Sequence, residues 1–210
     1  MIGACHGAAR NNVYGRRQSR FQRPKARDGT SGLREQAMSN RLTIREAAER
    51  SVQLLALKPS RGYLTCATKA RLVDGLRCEI EEGPWKLAAD MPAKVGGGET
   101  APTPGVLGRA ALASCLAIGI ATWAARQGVP IDALEVEVEA DFDARGELGV
   151  GKGVPPGYTE VRYAVSIQSP APKPALDGVL DLAERHSPYL DVFGRAIALR
   201  RVRHSTGGEA

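Results

Sequence analysis

The chain has 210 residues, 43% hydrophobic and 25% charged, the composition of a globular protein long enough to bury one sizeable core. Its formal charge of +6 is confined to residues 1–40, which hold eight Lys/Arg against two acids, while residues 41–210 carry 21 of each sign. The folded part therefore gives no electrostatic reason to expect a nucleic-acid partner, and its longest uncharged apolar run, the 16 residues from Ala110 to Ala125, falls short of the ~20 that a membrane span needs.

Residues 1–37 lack hydrophobic periodicity and are rich in Arg, Gly, Gln and Ser. Such a segment cannot bury enough apolar surface to offset its ordering entropy. The expected organisation is a disordered basic extension over 1–40 and one folded domain over 41–210. A basic arm or a transit-type peptide are the other readings of the extension. No secretory apolar segment is visible, so a cytoplasmic protein with reduced thiols is expected. Its four cysteines, Cys5, Cys66, Cys78 and Cys115, show neither C-x-x-C nor metal-ligand spacing.

A first helix is predicted from Ile44 to Leu57, opened by a Thr43-x-x-Glu46 capping box and closed by Pro59 and Gly62. A hairpin follows, with strands over Gly62–Leu72 and Leu76–Glu82 around an Asp74-Gly75 turn. Pairing Val73 with Leu76 sets Cys78 opposite Arg71 and puts Cys66 on the other sheet face, which disfavours a Cys66–Cys78 disulfide and makes both packing residues. A third strand is expected over Trp85–Ala89, then a Gly/Pro-rich loop from Pro92 to Pro104.

Thr103-Pro104 signals a helix N-cap with Pro in the first turn, and Gly128 and Pro130 stop that helix near Gln127. Apolar on nearly all sides, it reads as a central buried helix. From Ala133 to Asp143 the sequence alternates: Leu134, Val136, Val138, Ala140 and Phe142 face one way, five acids the other. The acidic stripe reads as a solvated or Arg-paired face, because a flat row of carboxylates does not converge on an ion. A glycine-rich loop over Gly146–Gly157 leads to a second alternating strand, Tyr158–Gln168, a helix over Pro174–His186 and a last strand over Ala196–Arg203. The order α, βββ, α, ββ, α, β is that of an α+β fold.

Gly96-Gly97-Gly98 lacks the strand before it and the G-x-G-x-x-G or G-K-[ST] pattern of a phosphate loop, so it reads as a mobile loop. With three His in all, no metal site is expected, and no cofactor. His186 beside Ser187 is not read as a hydrolase pair: no G-x-S-x-G elbow exists, and a His at a helix C-terminus interacts with the helix dipole. Cys115, in the third turn of the central helix, reads either as a small buried apolar residue or as a reactive thiol, which would need a nearby cation.

Several motifs in order carry a resemblance: the Gly-rich loop, the Pro102-Thr103-Pro104 helix start, Ala110-Ala111-Leu112-Ala113-Ser114-Cys115, Gly128-Val129-Pro130-Ile131, Asp143-x-Arg145-Gly146-x-Leu148-Gly149, and Ala183-Glu184-Arg185-His186-Ser187-Pro188. From about Leu64 to Val202 the chain resembles the OsmC/Ohr superfamily of osmotically induced and organic hydroperoxide resistance proteins. The resemblance implies two antiparallel sheets around central buried helices in an intertwined homodimer. It also implies peroxiredoxin-like chemistry, in which a thiolate reduces a hydroperoxide and a second cysteine captures the sulfenic acid. Cys115 matches the peroxidatic cysteine. The second cysteine falls at Ser187, and the Glu that holds the family's supporting Arg falls at Val106, or at Gly105 with a one-residue shift. Arg61 is the first choice for that Arg, with Arg71 and Arg109 as alternatives. The implied activity is a one-Cys reduction of an organic hydroperoxide in oxidative-stress handling, with an external thiol as reductant. The alternative is a non-enzymatic dimer binding a small apolar or acidic ligand in the interface cleft.

Overall fold

The computed structural model describes residues 30–201, with side chains from residue 38 onward. It shows ten helices and strands in order: α1 (Thr30–Leu57), β1 (Lys69–Asp74), β2 (Arg77–Glu82), β3 (Trp85–Ala89), α2 (Pro104–Gln127), β4 (Ala133–Phe142), α3 (Ala144–Glu147), β5 (Tyr158–Gln168), α4 (Lys173–Arg185) and α5 (Pro188–Gly194). Two antiparallel sheets form, a β1-β2-β3 meander and a β4-β5 pair. The fold is α+β, as the element order implies.

Helix α1 starts at Thr30, well before the capping box at Thr43. No Pro or Gly interrupts residues 33–57. Thr43 instead bonds back to the Ser39 carbonyl at 3.0 Å, as hydroxyls do inside helices. Of the extension expected to be disordered over residues 1–40, residues 1–29 lie outside the described residues, and residues 30–40 belong to α1 instead. Strand β1 is shorter than its prediction, because β2 turns into β3 at Gly83-Pro84 and leaves residues 62–68 no ladder partner. The hairpin register is also one residue off: Leu72, not Arg71, faces Cys78, with an irregularity between Leu72 and Asp74. Cys66 lies outside the sheet and is exposed, so the face argument does not apply to it; both thiols are free.

Helix α2 has the expected bounds. Thr103 caps it by accepting from the Val106 N–H at 3.3 Å, and Gly128 ends it in the left-handed region at φ 68°, where its N–H closes on Ala124 and Ala125. Leu112, Leu116, Ile120 and Ala124, four residues apart, form one buried stripe. Ile120, Ala124 and Val129 pack with Val179 and Ala183 of α4 and with Leu134, Val136, Val165 and Ile167 of the β4-β5 pair. The opposite face of α2 is open: Ile118 is 68% exposed. The helix is thus central but buried on one side only. By length and composition it could cross a membrane.

Strands β4 and β5 pair in register from Ala133↔Gln168 to Asp141↔Glu160, then shift, which turns Phe142 out to solvent. The acidic stripe is Arg-paired at one end: Arg162 lies 2.7 Å from Asp141, 2.9 Å from Glu160 and 3.5 Å from Glu139. Those carboxylates, Asp141 foremost, hold its guanidinium pKa above the ordinary value. The C-terminal stretch differs from expectation in an unpredicted helix and in the strand expected over Ala196–Arg203. Residues 188–194 form α5, and residues 196–201 are not a strand, having no partner strand among the described residues.

Candidate functional site

Cys115 stands beside the buried stripe of α2, one residue before Leu116, and is half-buried. Ser187 joins α4 to α5 and is only 7% exposed. Both α4 and α5 pack on α2, which carries Ser187 to the thiol: Cys115 Sγ lies 3.7 Å from Ser187 Oγ, between residues 72 apart in sequence. Ser187 is also the N-cap of α5, its oxygen accepting from the Leu190 N–H at 3.3 Å. With that lone pair engaged, the hydroxyl hydrogen is free to point at sulfur. The position that resembles the family's second cysteine thus touches the first.

The other predicted residues are not at the thiol. Arg61 sits in an exposed 3-10 turn, Pro59–Gly62, and its side chain makes no ion pair among the described residues. Arg71 is exposed on β1. Arg109, half-buried on α2, donates to the Tyr158 phenol oxygen at 3.2 Å, and that phenol donates to the Gly105 carbonyl at 3.0 Å. Val106 is exposed in the first turn of α2 and offers no carboxylate. Ser187 is the one side-chain hydrogen-bond partner of Cys115 among the described residues. His186 caps the C-terminus of α4, as its helix-end reading requires, and its ring stacks on Trp123 at 5.1 Å. Arg126 covers the same indole at 4.0 Å.

Beside the Cys115–Ser187 pair runs an open cleft of about 550 Å³ between α2, β5 and α5. Leu112 and Leu190, each three residues from a member of the pair, line it with Tyr158, Val161, Tyr163 and Phe193.

Sequence reasoning missed Asp90. It is 1% exposed, at the end of β3. Its carboxylate accepts from the Thr100 N–H at 3.0 Å, the Thr100 hydroxyl at 2.7 Å, the Met91 N–H at 2.7 Å and the Gly98 N–H at 3.3 Å. These donors, Thr100 first, push its pKa down to about 2 against the cost of burial. The triple glycine is therefore pinned rather than mobile. Gly97 is required there, because a Cβ would fall 1.8 Å from the Met91 carbonyl oxygen. The loop also ties the meander to α2: Asp90 N–H donates to Pro102 at 3.2 Å, and Arg77 donates to the Thr100 hydroxyl at 2.6 Å. The available signal was an Asp directly after an apolar strand, ahead of a Gly/Thr-rich turn.

A sequence profile described as OsmC-like protein matches residues 96–200, half of the chain. The chain belongs to the OsmC-like family. Among solved structures, this member is similar to an OsmC-like protein from Mycoplasma pneumoniae at TM-score 0.53 and 15% identity, over 62% of this chain and 88% of that one. It is also similar to an OsmC-like protein of unknown function from Vibrio cholerae at TM-score 0.50 and 14% identity, over 62% and 94%. An organic hydroperoxide resistance protein from Legionella pneumophila aligns more loosely, at TM-score 0.47 and 21% identity, over 62% and 89%. No curated protein sequence matches. The first two likenesses show the fold: helices with small antiparallel sheets, in the arrangement of OsmC-like proteins.

Proposed function

We propose that this family member is a one-cysteine hydroperoxide reductase that works as an intertwined homodimer with cytosolic thiols as its electron source. The observation that carries the reading is the 3.7 Å approach of Ser187 Oγ to Cys115 Sγ beside a cleft large enough for a small organic molecule. The Cys115 thiolate attacks the terminal oxygen of an organic hydroperoxide. The O–O bond breaks, the alcohol leaves after taking a proton, and Cys115 becomes a sulfenic acid. The Ser187 hydroxyl hydrogen-bonds sulfur but cannot form a disulfide. An external thiol therefore displaces water to give a mixed disulfide, and a second thiol releases Cys115 as the external disulfide forms.

Dimerisation is supported by apolar surface that one chain leaves open: Ile118 on α2, and Trp85 and Leu87 on the meander, 72% and 59% exposed. A second copy is also the proposed source of a cation for Cys115, and Arg61, exposed and without an ion pair among the described residues, is the candidate. The test is stopped-flow oxidation by tert-butyl hydroperoxide. Cys115 is expected to react orders of magnitude faster than free cysteine, and Cys115→Ser to abolish consumption; equal rates would end the proposal. Ser187→Cys is expected to convert the sulfenic acid into an intramolecular disulfide with Cys115, seen by mass spectrometry as a loss of two hydrogens.

A second reading, a dimer that binds a ligand without turnover, is favoured by the lack of any cation touching Cys115 among the described residues. A bound ligand in native mass spectra with no peroxide consumption would select it.

A further inference from the structure

Each polar side chain on the wall of the cleft between α2, β5 and α5 already has a partner within the chain. The Tyr158 phenol donates its hydrogen to the Gly105 carbonyl at 3.0 Å, and its oxygen accepts from Arg109 at 3.2 Å. The Tyr163 phenol donates to the Glu184 carboxylate at 2.9 Å, and the Thr159 hydroxyl to the Asp141 carbonyl at 3.2 Å. A hydroxyl has one hydrogen, so none of the three has a donor left for a ligand. Glu160 also lines the cleft, and Arg162 engages its carboxylate at 2.9 Å. Those two share a strand face, and alternation along β5 turns Val161 and Tyr163 the other way. No Lys, Arg or His lies among the described residues of the wall. What the cleft does offer is carbon: Leu112, Val161 and Leu190, beside the Tyr158 and Phe193 rings, which stack at 6.4 Å and 12°. A carboxylate seated there would give up its water and gain no side-chain donor in return, whereas an uncharged aryl or branched alkyl body loses little and buries its surface.

We propose that this cleft discriminates by charge: it takes neutral aryl or branched alkyl molecules and rejects those of the same shape that carry a carboxylate. The volume of about 550 Å³ is in the range that holds one small organic ligand. The inference rests on reading the cleft as the substrate site, and it names which hydroperoxides enter.

The experiment has a binding arm and a reaction arm. In the first, the full chain is titrated with two unreactive alcohols of one shape, 2-phenylpropan-2-ol and its para-carboxylate, followed by NMR. The neutral alcohol is expected to saturate one site per chain, at least tenfold more tightly than the carboxylate, with the largest shifts at Val161, Leu190 and Phe193. Val192→Lys places a cation on the exposed side of the same wall and is expected to cut that gap to threefold or less. Equal affinities in the parent, tighter binding of the carboxylate, no saturable binding of the neutral alcohol, or an unchanged gap in a folded Val192→Lys protein would each overturn the proposal. In the second arm, stopped-flow oxidation of Cys115 compares cumene hydroperoxide with its para-carboxylate. The neutral peroxide is expected to react at least tenfold faster at concentrations below saturation, and equal rates with both peroxides would overturn the selectivity. Discrimination between the alcohols with no oxidation of Cys115 by either peroxide would leave the selectivity standing and end the reductase reading.

Discussion

In the stretch from α2 to α5, apolar residues at helical or alternating spacing meet one another: Leu112, Leu116 and Ile120 are at most 1% exposed, and Val179, Leu134 and Ile167 close around that stripe. In the stretch from residue 39 to β3 the same residue types are present, and they meet solvent. Val52, Leu54 and Leu57 of α1 and Leu72, Trp85 and Leu87 of the meander are all exposed, and no helix packs broadly on that sheet. A sheet stripped of a partner layer leaves its apolar face unburied, which stable folds do not do at this scale. The first stretch buries one face of its own helix α2, whereas the second buries little of its apolar surface within the chain and, on the proposal of a homodimer, is covered by a second copy.

The largest effect should come from the open face of α2. Ile118→Asp puts a charge where a second copy would pack, while in the single chain it is a surface change. Sedimentation is expected to show a dimer for the parent and a monomer for the variant, with at least a hundredfold weaker association. An unchanged dimer would move the interface off α2. Next is Ile120→Ala, two residues on and fully buried. Truncating a buried Ile costs about 2–5 kcal/mol through lost transfer energy and a cavity. A lowered urea midpoint with the dimer still present at high protein concentration is expected. If instead both substitutions cost mainly association, the division between a stretch that buries its own helix face and one covered by a second copy fails.

The stretch from α2 to α5 was also the more legible one. Helix α2 is framed by local signals, Thr103-Pro104 and Gly128, and β4 and β5 alternate because one face of each packs on the core. The meander's strands were legible, but its register was not: the turn falls on Gly75-Leu76 instead of Asp74-Gly75, which moves the pairing by two, and the irregularity after Leu72 takes one back. Residues 196–199 form a short apolar run of the kind a buried strand carries, yet a strand needs a neighbour, and composition cannot say whether one exists. Helix α5 carries a local signal of its own, Ser187 as N-cap before Pro188 in the first turn. The thiol itself was found by resemblance. Its contact with Ser187 is tertiary and could not be read from spacing.

Asp90 gives the smallest and most local test, at the joint between the two parts. Its carboxyl lies near 2 in the folded chain, below its ordinary 3.8, so the native state favours the ionised form. The stability this adds is fully present above about pH 4 and is lost as pH falls toward 2. In Asp90→Asn the amide NH₂ must face the Thr100 N–H and hydroxyl, donor against donor, so the loop is weakened even at neutral pH. The difference in unfolding midpoint between parent and variant is therefore expected to be constant from pH 7 to about 5 and to shrink between pH 4 and 2. Taking the difference cancels other carboxylates that titrate there, such as Asp143, which Arg145 also holds near 2. Hydrogen exchange places the effect: faster exchange at Gly98 and Thr100 is expected, with the amides of β4 and β5 unchanged. Faster exchange through β4 and β5 as well would mean that the core from α2 to α5 depends on the joint too.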